Sequence, residues 1–228
     1  MIYAIGDLHL SSSGQKPMDV FGEAWTNHQM NIEAHWHDRV RPDDIVLIPG
    51  DISWAMTLEE ADSDLQFIGR LPGTKVMIRG NHDYWWSGIS KVRAHLPAGL
   101  YAVQNDSVMT GNVVICGTRG WLLPNHPLFG PDDTRLMHRE AERLRLSLEQ
   151  ADKTGLDKIC MIHYPPLAQS GEPTVFSELL EEYGVNVCVY GHLHGNTHRF
   201  AFEGVKNEVR YQLTSADYIG FDPVKVLL

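Results

Sequence analysis

Five short apolar runs in this chain each end in residues that can bind a metal ion or move a proton. Met1–Ile5 leads into Gly6-Asp7-Leu8-His9, Ile45–Ile48 into Pro49-Gly50-Asp51, and Lys75–Ile78 into Arg79-Gly80-Asn81-His82-Asp83. Ile159–Ile162 leads into His163-Tyr164-Pro165-Pro166, and Val185–Tyr190 into Gly191-His192-Leu193-His194. Each pattern is that of a buried strand that stops and presents a carboxylate, an amide or an imidazole from its end. Singly, each has an ordinary explanation: Gly-Asp after a strand is usually a turn, and one His there is usually hydrogen-bonded structure. Jointly they offer two carboxylates (Asp7, Asp51), one amide oxygen (Asn81) and four imidazoles (His9, His163, His192, His194), with His82 in addition. All leave what reads as one sheet.

Mixed nitrogen and oxygen donors without a thiolate suit Mn²⁺, Fe or Zn²⁺ and disfavour a cysteine-type structural zinc site. Two dications among Asp7, Asp51 and Asp83 would leave positive charge for a phosphate and make hydroxide available near neutral pH. In-line attack on phosphorus then needs no Ser or Cys nucleophile, and the sequence has neither a GxSxG elbow nor a phosphate-binding P-loop.

The elements that must position these groups follow from periodicity. After strand Met1–Ile5, the stretch Ser11-Ser12-Ser13-Gly14 with Pro17 reads as a loop. A helix is expected over Glu23–Val40, with Trp25, Ile32, Trp36 and Val40 on one face, and His28, His35 and His37 at or near its surface. Thr57 and Glu60 form a capping box for a helix striped by Leu58, Ala61, Leu65 and Ile68. The order to this point is β-α-β-α-β, which implies parallel strands with ligands at their carboxyl ends. Tyr101–Val103, Ser107–Met109 and Val113–Cys116 read as an antiparallel meander, followed by a long loop over Gly117–Asp133. A charged helix spans Thr134–Ala151, and a shorter one lies around Pro173–Tyr183. His198–Phe202, Val209–Leu213 and Val224–Leu227 read as short strands of a second sheet.

The chain has 228 residues, 43% hydrophobic and 21% charged, with a net charge of −10. One domain over 1–228 is expected, without internal repeats or linkers. The acidic balance and lack of a basic run argue against long nucleic acid as a partner. No apolar stretch approaches a membrane span. Cys116, Cys160 and Cys188 sit in apolar runs and read as buried reduced thiols. With Asp7 too near the start for a signal peptide to precede it, a cytoplasmic protein is expected.

The blocks Asp7-x-His9, Gly50-Asp51, Gly80-Asn81-His82-Asp83, His163 and Gly191-His192-x-His194 resemble the calcineurin-like metallophosphoesterase superfamily, over positions 7 to 194. Gly117-Thr118-Arg119-Gly120-Trp121 also resembles a block of predicted phosphohydrolases in that superfamily. The resemblance implies an α/β, four-layer αββα sandwich of two mixed β-sheets flanked by helices. It implies a first metal on Asp7, His9 and His194, a second on Asn81, His163 and His192, and Asp51 between them. Mn²⁺ is the leading expectation. It further implies attack by a metal-bridging hydroxide on a small phosphomonoester or phosphodiester, with His82 as proton donor and Asp83 holding His82 by a hydrogen bond.

Nuclease activity and a non-catalytic binding scaffold are the alternatives. The first is opposed by charge, the second by the complete ligand set. Substrate contacts are less defined. Tyr84, Trp85, Trp86, Trp54 and Trp121 either pack in the core or form a rim for a flat, nucleotide-like group. Arg79, Arg119 and His126 are candidates to touch phosphate or leaving group, or else surface ion-pairing residues. The sequence does not define an oligomeric state.

Overall fold

Successive buried residues of the central strands face opposite sides of their sheet, and this alternation separates three apolar layers. In β1 (Ile2–Ala4) and β2 (Ile45–Ile48), Ala4 and Leu47 join one cluster while Val46 and Ile48 join another. The structure is a computed structural model that describes residues 1–12 and 18–228. Of the loop expected over Ser11–Pro17, the part from Ser13 to Pro17 lies outside the described residues.

β1, β2, β3 (Thr74–Met77) and β4 (Leu100–Ala102) run parallel in a first sheet, with β11 (Val224–Lys225) antiparallel beside β1. In the second sheet β6 (Val113–Thr118), β7 (Asp157–Ile162), β8 (Val187–Tyr190) and β10 (Val209–Leu213) are parallel. β5 (Val108–Thr110) and β9 (Gly204–Lys206) are its antiparallel edges. The sheets face each other across Leu47, Val76, Ile115, Ile159, Met161 and Val189. The outer face of the first packs on α1 (His28–Arg39), α2 (Leu58–Arg70) and α3 (Ile89–His95), and that of the second on α4 (Asp133–Asp152) and α5 (Val175–Glu182). This is the four-layer αββα sandwich expected from the resemblance.

Several local expectations change. Of the expected meander, the antiparallel pairing of β5 with β6 forms, and the first strand goes elsewhere. β4 pairs parallel with β3 after the crossover helix α3, which the sequence reading missed, and the chain changes sheets before β5. Leu100 and Ala102 are buried, so the strand belongs in the first sheet rather than at a hairpin edge. The helix expected over Glu23–Val40 is interrupted because Asn27 takes a left-handed φ of 57°, leaving a 3₁₀ turn at Glu23–Trp25 before α1. His198 lies in a 3₁₀ turn, Gly195–Phe200, and Val224 edges the first sheet. At α2 the Thr57 hydroxyl accepts from the Glu60 N–H at 3.2 Å, but the Glu60 carboxylate accepts from Met56 instead of completing the box. α5 has the complete box, between Thr174 and Ser177.

Candidate metal centre

The ligand candidates leave two sheets rather than one. Asp7, His9, Asp51, Asn81 and His82 follow β1, β2 and β3, whereas His163, His192 and His194 follow β7 and β8. Backbone bonds clamp the two edges together. Gly6 N–H donates to the Thr214 carbonyl at 2.7 Å and Ala216 N–H to that of Gly6 at 3.0 Å. Asp7, His9, Asp51 and His192 all adopt left-handed backbone, with φ of 56°, 43°, 50° and 72°. Asp and His enter that region more readily than most residues, though at a cost of about 1–3 kcal/mol each when the surroundings impose it. The strand ends are thus turned sharply, and their side chains converge.

Close approach of the strand ends requires two glycines. A Cβ on Gly80 would lie 2.1 Å from Asp51 Oδ1, and one on Gly191 would lie 2.3 Å from Asp7 Oδ2. Gly80 has ordinary φ, so its role is to make room for a carboxylate rather than to allow a tight turn.

One half of the cluster comprises Asp7, His9 and His194. His9 Nε2 lies 3.3 Å from His194 Nε2, which lies 3.5 Å from Asp7 Oδ1. The Asp7 carboxylate also accepts the His192 N–H. His194 Nδ1 donates to Asp217 at 2.9 Å, which turns Nε2 toward the cluster. The other half comprises Asn81, His163 and His192. His163 Nε2 and His192 Nδ1 approach Asn81 Oδ1 to 2.7 and 2.9 Å and stand 3.3 Å apart. His163 Nδ1 donates to the Pro49 carbonyl at 3.0 Å. Asp51 serves both halves. Its Oδ1 accepts the His82 N–H, and its Oδ2 lies 3.7 Å from His9 Nε2 and 3.4 Å from His163 Nε2.

This donor set fits a cation. Because the His163 Nδ1 proton is directed to Pro49, its Nε2 presents a lone pair to the Asn81 oxygen. Two acceptors at that distance repel unless both lone pairs are directed at one shared cation. Burial holds His9 and His192 well below the ordinary imidazole range and brings His163 to about 3, so these rings are neutral donors. Burial, then the charges of Asp83 and Asp7, drive Asp51 well above the usual carboxylate range. His194 behaves oppositely: burial disfavours its charged form, but Asp7 and Asp217 overcome this and raise it to about 10. A bound cation would displace that proton.

His82 sits beside the cluster, its ring 4.5 Å from that of Trp54, which stacks on His9 at 5.0 Å. The expected Asp83–His82 bond is replaced. Asp83 is fully buried, and among the described residues its donors are the N–H groups of Gly80, Ile52 and Ser53 and the Trp85 indole. It ties the β2 exit to the β3 exit instead of orienting the imidazole.

The remaining candidates separate. Trp86 is 3% exposed and donates to Gln104, and Trp85 is likewise buried, so neither forms a stacking rim. Arg119 pairs with Glu140 at 3.1 Å and lies over Trp121, 4.5 Å from its ring centre. With Arg79 and Arg143 it lines a polar cavity of about 170 Å³. His126 and Trp121 line a larger cavity, about 600 Å³, which reaches His192. Sequence reasoning missed Asp217 because the strand before it, β10, carries Arg210 and Gln212 and so lacks the continuous apolar run that marks the other exits.

Residues 1–196 match the family model of the calcineurin-like phosphoesterases. The chain belongs to the calcineurin-like phosphoesterase family and is a metal-dependent phosphoric ester hydrolase, in a family that uses divalent ions. No curated protein matches it. Among solved structures it is similar to phosphopantetheinyl hydrolase from Mycobacterium tuberculosis, at 16% identity and TM-score 0.55, covering 94% of this chain and 88% of that one. It is also similar to a protein of unknown function from Aquifex aeolicus, at 14% identity and TM-score 0.53, covering 98% and 94%. A Thermus thermophilus protein matches at 9% identity and TM-score 0.56, covering 85% and 81%. At these identities the likeness is one of fold. No helix among the described residues is long and apolar enough to cross a membrane.

Proposed function

We propose that the chain hydrolyses a small phosphate ester at a two-metal centre, with Mn²⁺ as the preferred ion. Asp7, His9 and His194 would hold one ion, and Asn81, His163 and His192 the other. Asp51, whose Oδ2 lies near both His9 and His163, would be shared by the two. The observation that carries this reading is the convergence of donor atoms from five strand exits, with the His163 and Asn81 acceptors 2.7 Å apart. Bound ions supply Lewis acidity toward phosphate oxygens and make a water nucleophile available near neutral pH. Water adds to phosphorus, the bond from phosphorus to the departing oxygen breaks, and His82 gives that oxygen its proton. Trp54, packed on both His82 and His9, holds the proton donor against the ligand cluster. Asp83 keeps the β2 and β3 exits in register. Three free, buried cysteines support a reducing, cytoplasmic setting.

The test is turnover of para-nitrophenyl phosphate and its bis-ester with added Mn²⁺. Asp51→Asn should lose both metal binding and turnover. His82→Ala should bind two ions as wild type does while kcat falls about 10²–10⁴-fold, the range for losing a positioned acid. Failure to hydrolyse either ester, in protein shown to hold two ions, overturns the proposal.

A further inference from the structure

The cavity of about 600 Å³ beside the ligand cluster is within the usual range for a small-molecule site. His192 is its link to that cluster. One edge of the ring presents Nδ1 to Asn81, and the ring itself lies 4.1 Å from that of Tyr164, with both residues lining the cavity. Leu123, Leu167, Leu193, Phe200 and Trp121 supply much of the remaining wall. Among the described residues that line it, none is Asp, Glu, Lys or Arg. The polar groups present, among them Asn125, Gln169, Ser170, Thr197 and His126, whose Nδ1 accepts the Leu128 N–H at 3.2 Å, can hydrogen-bond a neutral atom, and none brings the fixed positive charge that would neutralise a second phosphate. Three guanidinium groups that could do so, Arg79, Arg119 and Arg143, line the separate small cavity, where Glu140 pairs with two of them, while Arg199 is held over the Phe200 ring, 4.8 Å from its centre.

We infer that the cavity receives the organic group of the phosphate ester, and that this group is uncharged and mainly apolar: an alkyl or aryl alcohol rather than a polyphosphate or a sugar phosphate. The inference rests on the reading of the ligand cluster as the place where phosphorus is held, since only then does a bound ester extend past His192 into the cavity. Apolar walls gain affinity with each methylene removed from water, and an added charge would find no partner there.

The experiment uses the metal-loaded protein and n-alkyl phosphonates from methyl to octyl, which bind without being hydrolysed. Calorimetry should show Kd falling about fourfold per methylene until the cavity is filled, the equivalent of 0.8 kcal/mol each, with an increasingly negative heat capacity change. Ala168→Glu, which places a carboxylate on the cavity wall, should flatten that dependence, and Ala168→Phe should shorten it. If these variants do not fold, the wild-type slope alone decides. A Kd independent of chain length, or tighter binding of a bisphosphonate than of octylphosphonate, overturns the inference. A parallel assay of n-alkyl phosphate hydrolysis separates the two readings. Chain-length-dependent binding without turnover would refute the proposed function and leave the cavity's preference standing, while turnover without chain-length dependence would do the reverse.

Discussion

Asp217 illustrates how a single side chain can set the chemistry of another. Its two oxygens accept from His194 Nδ1 at 2.9 Å and from the Gly195 N–H at 3.0 Å, and His198 lies within 3.2 Å. The carboxylate fixes which nitrogen of His194 faces the cluster and strengthens it as a donor. Asp217→Asn should therefore weaken metal binding by about 10–100-fold, the usual cost of losing a hydrogen-bonded support behind a ligand. Titration with Mn²⁺ checks this directly, and an unchanged affinity would reduce Asp217 to a surface partner. Its importance was not legible from residue types because it stands well beyond the last His-containing exit. Only the pairing of β10 with β8 brings it back to the site. Asp83 shows the converse. The resemblance implies a direct bond to His82, but in the folded chain the carboxylate accepts from four other donors.

Strand ends carry the candidate ligands, and a buried lysine shows how a strand and a helix are secured to each other. Lys75, on β3, is 2% exposed, and its ammonium donates to the carbonyls of Leu71 at 2.7 Å and Gly69 at 3.2 Å, where α2 ends. These carbonyls have no partner further along the helix. Lys75→Met should cost about 1.5–3 kcal/mol at neutral pH, the range for hydrogen bonds to a charged group. Burial lowers the Lys75 pKa from the ordinary lysine value. In the window between the folded pKa and about 10.4, the unfolded chain therefore holds more protons than the folded one, and Lys75 contributes stability that rises with pH. Urea melts at neutral pH and near pH 10 should show the wild type gaining on Lys75→Met, and parallel curves would contradict the assignment. Buried strands such as Ile45–Ile48 and the amphipathic helix α4 were plain in the sequence because burial imposes period and length. The short elements α3 and β4 were not, since their placement depends on which sheet the chain joins and not on local pattern.

At the scale of the whole molecule, the candidate metal centre spans the seam between two sheets. One half-site draws on β1 and β8 exits, the other on β3, β7 and β8, and Asp51 leaves β2 between them. Ions that bind the folded chain alone would act as fasteners across that seam. At a hundredfold excess over Kd the gain is about 2.7 kcal/mol. Chelation should then lower Tm by about 5–10 °C for a chain of this size, with recovery on adding Mn²⁺. An unchanged Tm on chelation would show that the seam holds without ions. Another consequence lies on the far face of the second sheet. Cys116, Cys160 and Cys188 occupy adjacent strands in matching register, all fully buried. Hydrogen bonding to Cys160 and burial raise the Cys116 thiol, and burial raises that of Cys160, so both stay protonated. Alkylating and oxidising reagents can reach this row only when the sheet separates from α4 and α5. The protein thus carries three built-in thiol reporters of that opening, placed away from the centre where its chemistry is proposed to occur.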